Sequence, residues 1–275
     1  MACGSTISAI LKNSPLNPLE TRMLLGHVLK LSRVQLITQS ERTLTASETQ
    51  QLSAEFKRRI DGEPIAYIVG EREFYGLSFY VTPDVLIPRP ETELLVELAA
   101  ERLPKNGRVL DMGTGSGAIA VAIAHIRPDA EVAALDISHA ALEIARHNAL
   151  RHGVTINFLQ SDWYSALADQ TFDVVVANPP YIVEGDVHLS QGDLRFEPAD
   201  ALTDHADGLR ALCSIIDGTM RHLTPGGWLL MEHGYDQSAA VRDLLIAQGF
   251  HDVQSWPDLA GIARATGGIR PINRP

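Results

Sequence analysis

Hydrophobic positions along the chain keep a helical period for about seventy residues and then change to another. Leu24, Leu25, Val28 and Leu31 form one apolar stripe at helical spacing, and Leu52, Phe56 and Ile60 follow at four-residue intervals. A start signal precedes each stripe. Asn17-Pro18-Leu19-Glu20 places a capping Asn, a Pro at the first helical position and a Glu at the third. Thr45-Ala46-Ser47-Glu48 is a capping box. Such stripes are core, so residues 1–72 are predicted to be a small helical bundle. Near Glu73 the period shortens: Phe74, Leu77, Phe79 and Val81, with Gly76 among them, predict two short strands in a hairpin. The prolines of Ile87-Pro88-Arg89-Pro90-Glu91-Thr92-Glu93 forbid a strand interior. Glu91 to Glu93 then opens a helix with Leu94, Leu95 and Leu98 on its apolar side. Residues 73–88 therefore read as a hairpin linker, and a second domain occupies 89–275.

From Gly107 strands and helices alternate. Strands are predicted at 108–110, 131–135, 156–159, 172–177 and 228–232, with helices at 118–125, 139–152, 209–222 and 238–248. This alternation predicts an α/β fold, a parallel sheet with helices on both faces. No internal repeat or low-complexity tract interrupts it.

Composition narrows the functional classes. With 45% apolar residues the 275-residue chain can build a real core. Two cysteines, Cys3 and Cys213, fit neither a disulfide framework nor a multi-cysteine zinc pattern. The opening Met1 to Ser14 lacks the basic and apolar regions of a signal peptide, and no apolar run is long enough to span a bilayer, so a cytoplasmic protein with no membrane partner is expected. Residues 1–80 carry a net charge of +1 and the remainder −12. An acidic larger half is a poor footprint for a phosphate backbone, so no stable nucleic-acid complex is expected. The ten histidines show no metal-binding spacing. His125, His147 and His152 read as helix-surface residues, and Lys57-Arg58-Arg59 reads as a solvated helix face.

Val109 to Ala120 reads VLDMGTGSGAIA, and its glycines, Gly113, Gly115 and Gly117, come straight after the first strand of the predicted sheet. Glycines there allow a tight turn and close approach of a ligand at a strand's carboxyl end. The spacing leaves a dinucleotide possible, with Ala118 in the place of a third glycine. Asp111, two residues before the first glycine, argues against a pyrophosphate nearby. The second strand ends in Asp136, a carboxylate suited to ribose hydroxyls. The third runs into Ser161-Asp162-Trp163, an acceptor for an exocyclic amine beside a flat ring. Three strand ends thus suit a nucleoside, and S-adenosyl-L-methionine fits them better than NAD.

The fourth strand, Phe172 to Ala177, stops at Asn178-Pro179-Pro180-Tyr181. The prolines fix φ and remove backbone donors, which leaves carbonyls free to accept. The Asn178 carboxamide oxygen and the Pro179 carbonyl can hold both hydrogens of a planar NH2 group, and Tyr181 offers a ring face. An amide or exocyclic amine is a poor nucleophile. Held in this way, its lone pair is aimed at a methyl donor, and catalysis is alignment and charge placement.

Nearly the whole chain resembles the release-factor glutamine methyltransferases (PrmC/HemK). The resemblance lies in GEPIAYIVGEREFYGLSF (Gly62 to Phe79), VLIPRPETE, DMGTGSG, Asp136, QSDWYSAL (Gln160 to Leu167), NPPYI, GDLRFEPADAL (Gly192 to Leu202), LLMEHG and DLAGIAR. It implies a Rossmann-like class I S-adenosylmethionine-dependent methyltransferase sheet with an N-terminal helical bundle joined by a β-hairpin. It further implies methylation of the glutamine side-chain nitrogen in the Gly-Gly-Gln loop of peptide chain release factors, leaving S-adenosyl-L-homocysteine. Gly113, Thr114, Gly115, Ser116, Gly117, Asp136, Asp162, Trp163 and Asn178 would contact the cofactor. Asn178, Pro179, Pro180 and Tyr181 would hold the glutamine, with Asn178, Pro179 and Tyr181 catalytic, and the helical domain would dock the release factor. NPPY is shared with nucleic-acid amino-methyltransferases, and a ribosomal-protein glutamine methyltransferase is the nearest alternative in kind. Pro88-Arg89-Pro90-Glu91 favours the release factor. The tail, Gly267 to Pro275, extends past the usual end of that family and is expected to be disordered.

Overall fold

Capping decides where the first helices begin. The computed structural model describes residues 4–272, and the chain divides into two compact units between Glu71 and Arg72. The first holds α1 (Ile7–Asn13), α2 (Pro18–Leu29), α3 (Arg33–Thr38), α4 (Ala46–Ile60) and α5 (Ile65–Val69). The Asn17 side chain accepts from Glu20 N–H at 2.9 Å. At the start of α4, Thr45 Oγ1 accepts from Glu48 N–H at 3.2 Å while Glu48 Oε2 accepts from Thr45 N–H at 2.9 Å. Each cap contributes about 1 kcal/mol. Ile7, Leu24, Leu25, Leu52 and Phe56 fill the core of this unit. Ile60 departs from its predicted place: it closes α4 and is 58% exposed, because the last turn points away from that core. The basic triplet lies on a solvated face at Lys57 and Arg58, as expected, and each of its side chains is paired. Lys57 pairs with Asp61, Arg58 with Glu63 and Arg59 with Glu20 on α2, so its charge is neutralised within the unit.

The boundary falls at the first residue of a hairpin, β1 (Glu71–Phe74) and β2 (Leu77–Tyr80), which is followed in the second unit by α6 (Glu93–Arg102). Its main sheet is built from β3 (Arg108–Met112), β4 (Glu131–Asp136), β5 (Asn157–Gln160), β6 (Phe172–Ala177), β7 (Leu223–Glu232), β8 (His251–Pro257) and β9 (Ala263–Ile269). The helices are α7 (Ala118–Ile126), α8 (His139–Arg151), α9 (Ala199–Leu202), α10 (Arg210–His222) and α11 (Ser238–Ala247). Strand order is β5-β4-β3-β6-β7-β9-β8, parallel from β5 to β7. Strands β3 and β6 are wholly apolar apart from Arg108, Asp111 and Asp173, as strands covered on both faces must be. One face packs Leu95, Val121, Ile123, Phe74 and Phe79, and the other packs Leu212, Ile215, Val241 and Leu245.

Three expectations are corrected here. The sheet is mixed, because β9 runs antiparallel to both β7 and β8. The tail expected to be disordered supplies part of it: Gly267, Gly268 and Ile269 pair with Leu230, Leu229 and Trp228. A Cβ on Gly267 would stand 2.3 Å from the Leu229 carbonyl oxygen, so these glycines serve close strand packing. Residues 273–275, like Cys3, lie outside the described residues. His152 is also more than a surface residue. Its Nε2 lies 2.8 Å from the Ser78 carbonyl and its ring lies 5.4 Å from that of Phe79, which fastens the hairpin to the end of α8. Among the described residues no helix is long and apolar enough to cross a membrane, and no cluster of His, Cys, Asp or Glu is arranged to hold a metal ion.

Candidate active site

The strand order reverses between β3 and β6, so the loops leaving them diverge and open a crevice at their carboxyl ends. Met112 is paired with Ala177, which places Gly113 and Asn178 at adjacent strand ends. The glycine loop is held from the next strand. Gly113 and Thr114 N–H both donate to the Leu135 carbonyl at 2.9 Å, and Gly115 N–H donates to Asp136 Oδ2 at 2.9 Å. Gly113, Gly115 and Gly117 all have positive φ. A Cβ on Gly113 or Gly115 would meet nothing within 4 Å, whereas one on Gly117 would lie 3.0 Å from the Ala145 Cβ. The first two glycines leave open space above the backbone; the third lets α7 pack on α8.

Asp111 sits at the base of this loop, 1% exposed. Its Oδ2 accepts from Thr114 Oγ1 at 2.6 Å and from Ala120 N–H at 3.2 Å, and its buried Oδ1 has no partner among the described residues. Burial pushes its pKa up to about 7, and the Asp136 charge adds to the rise. Burial also raises Asp136, whose Oδ1 accepts from Ser138 N–H at 2.9 Å. Ser161 is buried and its hydroxyl donates to the Trp163 carbonyl at 2.7 Å. Asp162 is exposed. Trp163 has φ +44° and packs its half-buried ring against the α10 and α11 side of the core. Asp136, Ser161 and the glycine loop thus come together, with Trp163 beside them.

At the end of β6, Asn178 Nδ2 donates to Thr92 Oγ1 at 3.1 Å. Among the described residues its carboxamide oxygen has no protein partner, and the side chain is half-buried. No backbone N–H among the described residues is directed at the Pro179 carbonyl. The Tyr181 carbonyl accepts from Gln237 Nε2 at 3.1 Å, and the Tyr181 hydroxyl donates to Glu232 Oε1 at 3.1 Å. Burial and the Glu232 charge raise the Tyr181 pKa. Glu232 is 2% exposed, accepts from Thr92 Oγ1 at 2.6 Å and is pushed by burial up to about 7.

Thr92 and Glu232 are the polar residues that the sequence reading gave no role. A signal for Glu232 was present, since it ends a buried strand with a carboxylate just as Asp136 does. Glu197 was passed over as well. It accepts from Ile87 N–H at 3.0 Å and from Arg89, and so holds the Pro88-Arg89-Pro90 segment in place.

A mixed seven-stranded sheet with a glycine loop after β3 and an Asn-Pro-Pro-Tyr tip after β6 is the architecture of a Rossmann-like class I methyltransferase. Residues 90–205 match the methyltransferase small domain family, and residues 5–70 match the PrmC N-terminal domain. The chain belongs to the release factor glutamine methyltransferases. It is 54% identical to the member from Burkholderia pseudomallei, covering 97% of both chains. It is 52% identical to that from Neisseria gonorrhoeae, over 93% of this chain and 94% of the other. Its fold is also that of a T. thermophilus 16S rRNA methyltransferase solved in complex with AdoMet and guanosine, with TM-score 0.54 at 23% identity over 73% of this chain and 49% of that one.

Proposed function

We propose that this enzyme methylates the side-chain amide nitrogen of the glutamine in the Gly-Gly-Gln loop of peptide chain release factors, with S-adenosyl-L-methionine as donor and S-adenosyl-L-homocysteine as product. One observation carries the reading. In a chain of this family, Asn178 presents an unpartnered carboxamide oxygen at the strand end next to the glycine loop. The residues fit the donor. The backbone over Gly113 and Gly115 leaves open space for it, and Asp111 beneath the loop holds Thr114 and Ala120 in place. Asp136 would take the ribose hydroxyls, and Asp162 and Trp163 the adenine. When bound, the donor supplies a sulfonium-activated methyl group.

The chain's own part is to make a poor nucleophile reactive by placement. The Asn178 Oδ1 and the Pro179 carbonyl accept from the two hydrogens of the glutamine amide, and the Tyr181 ring lies along its flat face. Two fixed acceptors orient the nitrogen lone pair, and because they are held in place beforehand they need no rearrangement when the amide arrives. A glutamine on a loop tip offers little surface, so specificity needs contacts outside the crevice. The helical unit is the proposed docking element.

Purified enzyme and methyl-tritiated donor should be offered an intact release factor, a large-subunit ribosomal protein and DNA in parallel. Label is expected in the release factor. Label in either other substrate at equal or greater rate overturns the assignment.

A further inference from the structure

The hydrogen bonds at the end of β6 have a direction. We infer that Thr92 and Glu232 are positioning residues that fix which way round the Asn178 carboxamide faces. Thr92 has a single hydroxyl hydrogen, and an ionised carboxylate can only accept. Thr92 Oγ1 lies 2.6 Å from Glu232 Oε2, so that hydrogen is committed to the carboxylate. What Thr92 then offers Asn178, 3.1 Å away, is a lone pair. Only the NH2 end of the carboxamide can satisfy it, and the carbonyl end is turned outward. The reversed amide would set its oxygen against an oxygen with no hydrogen to give, and would present donors to a substrate NH2 that needs acceptors. Glu232 sets a second group by the same logic, since its other oxygen accepts from Tyr181 at 3.1 Å. One buried carboxylate therefore orients both polar side chains of the Asn-Pro-Pro-Tyr tip, from segments that the helix at α6 and the strand β7 bring together.

The relay depends on Glu232 being ionised. Its surroundings pull in both directions: burial and Glu91 disfavour the charge, while Thr92, Tyr181 and Arg264 favour it. His233, the next residue, is buried with its Nε2 on Thr266 Oγ1 and its Nδ1 on the Gly234 carbonyl, so it turns away from this network. A protonated Glu232 can donate to Thr92, which frees the hydroxyl hydrogen to point at Asn178 and removes the preference between the two amide orientations.

This inference rests on the proposed role of Asn178, and its test separates the two. Thr92→Val, Thr92→Ser and Glu232→Gln should be compared with the wild type in full-length protein. Turnover on a release factor at saturating donor, donor affinity by calorimetry and thermal midpoint are the readouts. Thr92→Val and Glu232→Gln are expected to lower kcat by about tenfold or more, with donor affinity unchanged within about twofold. Thr92→Ser is expected to restore most of the turnover. The wild type is expected to lose kcat as pH falls below about 7, where Glu232 takes up a proton, and Glu232→Gln to lack that fall. The variant should do so without losing thermal stability at pH 8, where the wild type buries a charge. A merely structural role predicts the opposite pairing, slow and unstable together. Wild-type kcat in Thr92→Val, or a Thr92→Ser enzyme as slow as Thr92→Val, overturns the relay. A second readout needs no substrate. In 15N spectra the Asn178 carboxamide protons, identified by their absence in Asn178→Asp, should include one that exchanges slowly in the wild type and rapidly in Thr92→Val. Equal exchange in the two proteins also overturns it. A wild-type enzyme that ignores release factor defeats the substrate reading alone, and the exchange measurement still decides the relay.

Discussion

The ends of β3 and β6 are neighbours, and each is backed by a buried carboxylate whose pKa is pushed up to about 7. They are built differently. Around Asp111 the partners are Thr114 and Ala120, three and nine residues away. Around Glu232 they are Thr92 and Tyr181, 140 and 51 residues away, and Asn178 reaches Thr92 across 86. At one end the carboxylate's own partners are close in sequence, and the loop above it is held by the adjoining strand through the Leu135 carbonyl and Asp136. The other exists only when the fold has closed. The chemistry divides along the same line. The local end leaves open space over Gly113 and Gly115, suited to receiving a cofactor, while the assembled end commits the side chains of Thr92, Glu232 and Tyr181 and leaves the Asn178 oxygen and the Pro179 carbonyl as acceptors, suited to aligning an amide.

If that division is real, substitutions at the two ends should separate binding from turnover. The largest effect is expected at the assembled end. Asn178→Ala should cut kcat roughly 10²-fold or more while donor affinity stays within about tenfold, because it removes a contact that matters most in the transition state. Near-normal turnover by single-turnover kinetics would remove Asn178 from the chemistry. Asp136→Ala should do the reverse, weakening donor binding by about tenfold or more through the loss of a charged hydrogen-bond acceptor, with a smaller change in kcat at saturation. Unchanged affinity by calorimetry would show that the ribose contact lies elsewhere.

The smallest expected effect concerns stability. Asp111 titrates near 7 in the folded protein and near 4 in the unfolded chain, so the folded state holds the proton more tightly. Stability associated with this group is complete below about pH 4 and is lost as pH rises through about 7. Asp111→Asn removes that loss. Its thermal midpoint should exceed the wild type by roughly 5 °C at pH 8 and by less at pH 5. A constant difference between the two pH values would mean that Asp111 is not the titrating group.

The contrast also explains what was legible in the sequence. The capped helices at Asn17 and Thr45, the glycine loop and the apolar strands follow from neighbours a few residues apart, and the structure has them where the spacing placed them. Strand β9 was missed because Gly267 and Gly268 look like a loop, and their purpose emerges only from the Leu229 backbone lying against them. Ile60 continues the stripe of α4 by spacing, and the spacing does not reveal that the core has ended. Thr92 lay inside a conspicuous motif and Glu232 at a strand end, but a hydroxyl and a carboxylate 140 residues apart show no relation until the chain has folded. Asparagine at the end of β6 and the use of its oxygen as an acceptor could be read; the Thr92 contact on its NH2 end could not.

The central claim is that this crevice places a methyl group on a glutamine side-chain nitrogen. Its most direct test is tandem mass spectrometry of a release factor treated with the enzyme and a deuterated-methyl donor. A single labelled methyl on the glutamine of the Gly-Gly-Gln loop, absent from the Asn178→Ala reaction, is the predicted result. A label on any other residue, or an equal yield from Asn178→Ala, would contradict it.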